Sequence, residues 1–151
     1  IKKMENGEYD GVILALAGLN TLNLNHYAKE ILSIKDFIPT AGQGIIAVQC
    51  RNDDENIKKI LKKINHSKTE VCALAERSFL KTLGGDCATA VGCSATLNKE
   101  RIELSAQLFS DDGNKVFYVN KSGKLNEPKL LGILAGEEIL EKSKGNFIKK
   151  K

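Results

Sequence analysis

An α+β fold is predicted, a three-stranded antiparallel sheet covered by helices on one face. Three observations carry it. The hydrophobic period is helical from Asp53 to Leu83. It then changes to three strand-like runs between Val91 and Val119, separated by turn residues. It returns to helical spacing beyond Pro128. The amino-terminal third does not fit that pattern. It contains two apolar runs of the kind buried on both faces of a sheet, and the chain holds no partner strands for either, which implies a piece of a larger protein.

Taken in order, Val12-Ile13-Leu14-Ala15-Leu16-Ala17-Gly18 is the first of these runs, a strand closed by glycine. Tyr27, Ile31 and Leu32 follow at helical spacing. Pro39 breaks the chain, and Gly42-Gln43-Gly44 leads into the second run, Ile45 to Cys50. Two glycines there allow close backbone approach, to a ligand or to another segment. Asp53 or Asp54 is placed to cap a helix with Ile57, Ile60, Leu61 and Ile64 on one face. Ser67, with Glu70 three residues on, reads as a capping box for the next helix, which buries Val71, Leu74, Ala75, Phe79 and Leu83 and ends at Gly84-Gly85. The strand runs are Val91–Leu97, Arg101–Phe109 and Lys115–Val119. Asn98-Lys99 and Asp111-Asp112-Gly113-Asn114 lie between them, so the simplest topology is a meander. Pro128 opens a last helix, Leu130–Lys142, with Leu131, Leu134, Ala135 and Ile139 inward.

Composition excludes several function classes. The net charge of +4 in 151 residues comes from lysines in short clusters, Lys58-Lys59, Lys62-Lys63 and Lys149-Lys150-Lys151, which read as solvated helix faces and a soluble tail. With three arginines (Arg51, Arg77, Arg101) and no tryptophan, the pattern is not that of a nucleic-acid binder. A basic site for a small polycarboxylate stays open. No run reaches the roughly 18 to 20 apolar residues of a membrane span. The cysteines Cys50, Cys72, Cys87 and Cys93 form no Cys-x-x-Cys pair and lie far in sequence from His26 and His66, so no metal site is expected. A disulfide framework is not expected either, and the thiols point to a reducing compartment. The chain opens on Ile1, which reads as a cut or processed start with any targeting segment upstream. Abundant lysine, asparagine and isoleucine suit an AT-rich genome, and both cytoplasm and plastid fit.

One thiol stands apart. Cys72 lies in an apolar helical pattern and Cys93 in a strand, and with Cys50 they read as core cysteines. Cys87 follows paired glycines at a helix end, where a thiol can be reached and modified. An unrelated cysteine hydrolase would need a general base, and neither histidine is placed by any motif to serve as one.

Three segments together resemble the porphobilinogen deaminase (hydroxymethylbilane synthase) family. Asn6-Gly7-Glu8-Tyr9-Asp10-Gly11-Val12-Ile13-Leu14-Ala15-Leu16-Ala17-Gly18-Leu19 is similar to that family's N-G-E-Y-D-A-I-I-L-A-x-A-G-L. Ala41-Gly42-Gln43-Gly44 with Ile45 to Arg51 is similar to its V-G-Q-G strand ending in C-R. Ala75-Glu76-Arg77 with Leu83 to Cys87 is similar to its A-E-R…L-E-G-G-C. The order and spacing hold without an obvious gap from residue 6 to residue 97. The resemblance implies the carboxy-terminal portion of a three-domain enzyme. Residues 1–38 would end the second α/β domain, 39–52 would be the hinge and the return strand to the first, and 53–151 would form the cofactor-carrying domain.

The resemblance further implies a transferase of tetrapyrrole (haem) biosynthesis. It condenses four porphobilinogen units head to tail, with loss of ammonia, into hydroxymethylbilane. The primer would be a dipyrromethane bound through a thioether to Cys87, with Gln43, Gly44, Gly18 and Ala17 near the pyrroles. The catalytic aspartate would lie upstream of Ile1, leaving this piece inactive alone, and the full-length protein would be a monomer whose missing amino-terminal domains complete it. Glu76 and Arg77 would form helix-surface or interdomain ion pairs. This sequence departs from the family pattern at Gly84 for glutamate, Asp86 for the second glycine and Ala90 for proline, and Thr21 stands where many members have arginine. Asp86 should disfavour the neighbouring thiolate, and the altered loop should slow cofactor attachment. These departures give weight to an alternative, a non-catalytic interaction or scaffold domain that retains the fold.

Overall fold

The computed structural model describes residues 1–85 and 88–149, and the chain divides into two compact units, Ile1–Ser33 and Ile34–Lys151. The first holds two short helices, α1 (Lys2–Glu5) and α2 (Leu16–Thr21), and a 3-10 turn at Asn25–Tyr27. The second holds α3 (Glu55–Ile64), α4 (Ser67–Leu83), the strands β1 (Val91–Asn98), β2 (Arg101–Phe109) and β3 (Val116–Lys124), and α5 (Pro128–Ser143).

The α+β expectation is met in the second unit. The three strands form an antiparallel sheet in the order β1-β2-β3, with Cys93 opposite Ala106 and Ala106 opposite Val119. Alternation sends Cys93, Ala95, Ile102, Leu104, Ala106, Leu108 and Val119 to one face, where they are buried. Ala75, Phe79 and Leu83 of α4 and Leu131, Ala135 and Ile139 of α5 complete that core. Lys99, at φ 53°, turns the first hairpin. In the second, the Asp112 carboxylate accepts from Ser110 Oγ and from the Asn114 N–H, at 3.1 Å, an Asx-type brace. β3 runs five residues beyond the predicted Val119, because its polar half still pairs with β2 through Lys124.

The two helices over the sheet meet at glycines. A Cβ on Gly132 would lie 2.1 Å from the Ala75 carbonyl oxygen, and one on Gly136 would lie 2.8 Å from Thr82 Cβ. The buried side of α5 is therefore Leu131, Gly132, Ala135, Gly136, Ile139 and Ser143, and the predicted inward residue Leu134 is exposed instead. After α5 the tail folds back. Phe147 stacks on Phe117 with ring centroids 5.8 Å apart, and the Lys149 N–H donates to Thr89 Oγ1 at 3.1 Å.

Four expectations need correction. Neither Val12–Gly18 nor Ile45–Cys50 forms a strand. Leu16–Thr21 is helical, and Ile13 and Ile46 are 79% and 92% exposed. A strand exists only through pairing, and no partner is present among the described residues. The helical spacing of Tyr27, Ile31 and Leu32 gives only the 3-10 turn. The cap of α4 is His66, one residue before Ser67. Its Nδ1 accepts from the Thr69 N–H at 3.4 Å, and Glu70 accepts from Asn65 Nδ2 instead of closing a box. Finally, α3 is capped by Asp54 as expected, through a 3.0 Å bond from the Ile57 N–H, but Ile57, Ile60 and Ile64 of its apolar face are exposed.

Candidate functional site

Cys87, the thiol singled out by the sequence, lies outside the described residues, as does its neighbour Asp86. The residues that lead to it are described. Gly84 ends α4 in the left-handed conformation (φ 71°), and its N–H still donates to the Leu80 carbonyl oxygen at 3.0 Å. Gly85 then closes on Thr89. A Cβ at Gly85 would lie 2.5 Å from Thr89 Oγ1, so the residue expected for steric reasons is the one present. Thr89 is buried, and its hydroxyl is held by the main chain of Lys149.

Gln43 sits in an exposed turn of the second unit. Gly42 and Gly44 on either side have φ of 78° and 81°, a conformation that glycine adopts without strain, and added Cβ atoms there would meet nothing within 4 Å. The backbone on both sides of Gln43 is thus uncovered by the described residues. The Gln43 N–H donates to the Thr40 carbonyl oxygen at 3.0 Å, and its side-chain Oε1 accepts from Thr40 Oγ1 at 3.3 Å. The amide oxygen is thus braced, and its NH₂ meets no acceptor among the described residues.

Glu76 was expected on a helix surface or in an ion pair between domains. It is buried instead, and both carboxylate oxygens accept backbone N–H groups, Oε2 from Gly42 at 2.6 Å and Oε1 from Ala95 at 2.7 Å. A sequence signal for this exists. Glu76 shares a helical face with Cys72, Phe79 and Leu83, and a lone acid on an apolar stripe must find donors.

Ala17 and Gly18 belong to the first unit, where both lie in α2. Gly18 lines an open hollow of about 680 Å³ with Leu14, Leu19, Leu22 and Tyr27, and Lys2 and Lys3 line it too. Thr21, at the position where a basic residue was expected, donates its hydroxyl to the Ala17 carbonyl oxygen at 2.9 Å, so that donor is already engaged.

The remaining thiols are free. Burial pushes the Cys93 thiol far above its ordinary range, and the Glu76 carboxylate pushes it further. Cys72 is raised by burial and then by Glu76. Both are therefore held protonated, which suits core packing and not nucleophilic work.

Comparison with known proteins assigns the chain to a family. Residues 1–59 match the family model described as porphobilinogen deaminase, dipyromethane cofactor binding domain, and residues 70–141 match porphobilinogen deaminase, C-terminal domain. The first match takes in Ala17, Gly18, Gln43 and Gly44, and the second takes in Glu76 and Cys87. Among curated relatives, a porphobilinogen deaminase of Nitrobacter hamburgensis is 39% identical over 147 residues, covering 97% of this chain and 46% of the relative. That of Coxiella burnetii is 32% identical over 149 residues, covering 99% and 48%, and that of Alkaliphilus metalliredigens is 37% identical over 140 residues, covering 93% and 44%. The chain spans about half the length of the curated relatives it matches. With both family models in sequence order and nearly the whole chain aligned, the chain belongs to the porphobilinogen deaminase family.

Proposed function

We propose that the protein to which these residues belong condenses four porphobilinogen units into hydroxymethylbilane, in tetrapyrrole synthesis, and that Cys87 anchors its primer covalently. The observation that carries this reading is the match to both family models in register, with the Gly42-Gln43-Gly44 turn and the Cys87 segment kept in order. Dipyrromethane, when bound, supplies the covalent primer onto which the pyrrole units are joined head to tail, each with loss of ammonia.

The residues present suit that group. Gly42 and Gly44 leave space where a side chain would obstruct a flat ring, and the Gln43 NH₂ can donate to a carboxylate on the ring edge. Lys2 and Lys3, beside the hollow that Gly18 lines, offer cations to acetate and propionate side groups. Cys87 holds the primer by its sulfur, so a growing chain is not lost between additions. Asp86 disfavours the thiolate next to it, and attachment is slower than with the glycine of the family pattern.

The domain assignment follows from the same reading. Residues 1–38 close the second domain, 39–52 return toward the first, and 53–151 carry the cofactor. The catalytic aspartate lies upstream, so these 151 residues alone turn over no porphobilinogen. The protein at its natural length works as a monomer, in the cytoplasm or a plastid.

The engaged hydroxyl of Thr21 favours a second reading, a scaffold domain that keeps the fold without the chemistry, because it leaves that position without a donor for a substrate carboxylate. Intact mass of the natural-length protein separates the two. The first reading expects the added mass of two linked pyrrole units, removed by Cys87→Ala. An unmodified mass in the wild type would overturn it in favour of the scaffold.

A further inference from the structure

The segment before Gln43 is strapped to the free edge of β1. Ile38 is buried, and its carbonyl oxygen would be 2.5 Å from a Cβ at Gly92, so only glycine lets the strap lie this close. The Cys93 N–H, which points off the sheet edge, donates to the Pro39 carbonyl oxygen at 2.8 Å. Two residues on, the Ala95 N–H points the same way, where the strap has already turned aside toward Gly42. Glu76 takes that donor at 2.7 Å, and with its second oxygen it takes the Gly42 N–H of the departing strap at 2.6 Å. The carboxylate thus stands where the next strand residue would have been, and it bonds to both sides of the gap.

Its surroundings fit that task. Glu76 is 6% exposed, and no lysine or arginine pairs with it among the described residues. Its burial is therefore balanced by two charge-assisted backbone bonds, which are shorter and stronger than neutral ones. The helix that carries it packs closely on α5 at the Gly132 and Gly136 crossings, and its sequence leads to Cys87 four residues beyond Leu83.

We infer that Glu76 is a positioning residue: its carboxylate fixes the Gly42–Gly44 turn, and with it Gln43, to the helix whose end leads into Cys87. The inference rests on the reading that Gln43 faces the bound pyrroles. A neutral glutamine cannot replace it. A carboxamide offers one acceptor oxygen and an NH₂ donor to two N–H groups, so one N–H is left facing a donor.

The test is residue-resolved hydrogen exchange and steady-state kinetics on the natural-length protein. In the wild type, Gly42 should exchange at least about tenfold more slowly than Gly44, whose N–H meets no acceptor among the described residues. Glu76→Gln should speed Gly42 and Ala95 by about tenfold and leave Leu104 of the central strand unchanged. It should lower kcat for porphobilinogen by roughly tenfold, with KM and the covalent pyrrole mass retained. Equal exchange at Gly42 and Gly44 in the wild type would sink the clasp, and this comparison needs no variant to fold. Faster exchange at Leu104 as well would reduce Glu76 to a stabilising role, and a freed Gly42 with unchanged kcat would overturn the positioning role. If the wild type lacked turnover altogether, the function reading would fail while exchange still decided the clasp.

Discussion

Gly132→Ala should destabilise the protein even though alanine is the better helix former. An added Cβ would sit 2.1 Å from the Ala75 carbonyl oxygen and 2.8 Å from the Phe79 nitrogen, both main-chain atoms of α4. Neither can rotate away, so α4 and α5 must part by about 1 Å to restore ordinary contact distances. Overpacking of this kind costs up to about 3 kcal/mol. Replacing glycine in a helix interior returns about 1 kcal/mol. The net loss is about 2 kcal/mol, which for a unit the size of residues 34–151 is a fall of about 8 °C in melting temperature. Gly136→Ala should fall by less, because its nearest obstacles are the Cβ and methyl of Thr82. Thermal unfolding followed by far-ultraviolet circular dichroism measures both. If Gly132→Ala melted within about 2 °C of the wild type, or above it, the close helix crossing would be wrong.

Two further outcomes follow from the titrating groups. With its thiol raised by burial and by Glu76, Cys93 should resist alkylation by iodoacetamide at pH 8 in the folded protein and react only on unfolding; rapid labelling of the native state would contradict the packing described. Asp112, held to about 2 by its bonds from Ser110 and Asn114, has a folded value below its unfolded one. Its contribution is therefore present above about pH 4 and is lost as pH falls toward 2, and an NMR titration placing its midpoint near the ordinary value would remove the brace.

The carboxy-terminal sheet and its two covering helices were legible because their signals are local. Period-two alternation from Val91 to Phe109, turn residues between the runs and Pro128 before α5 each act within a few residues. The apolar runs Val12–Gly18 and Ile45–Cys50 misled because apolar character does not make a strand until a neighbour supplies hydrogen bonds. The same holds for α3, whose spacing identified a helix but not what covers it. Leu134 was assigned inward because a single apolar stripe was assumed, whereas α5 is approached from two sides and uses Gly132 and Gly136 on one of them. Gly42-Gln43-Gly44 was read as the entry to a strand that allows close backbone approach; the two glycines do leave the backbone uncovered, but they form a turn and no strand follows at Ile45–Cys50. Glu76 was read as a helix-surface or interdomain ion pair although it falls on the apolar stripe of α4, and its role as a link was hidden because its partners Gly42 and Ala95 are 34 and 19 residues away.

The strap along β1 also makes the sheet's two edges unequal. At one edge the main-chain donors of Cys93 and Ala95 are already taken by Pro39 and Glu76, so a foreign strand finds the middle of that ladder occupied. The opposite edge, β3, has no strand beside it among the described residues, and its second half reads Asn120, Lys121, Ser122, Gly123, Lys124. Lys121 is paired with Glu138 at 2.7 Å, so Lys124 and Gly123 are the residues that discourage self-association on this open edge, through charge and poor strand propensity. The molecule thus guards one border of its sheet with a strap of its own backbone and a buried carboxylate and the other with exposed charge, and salt screens the exposed charge far more than the buried one.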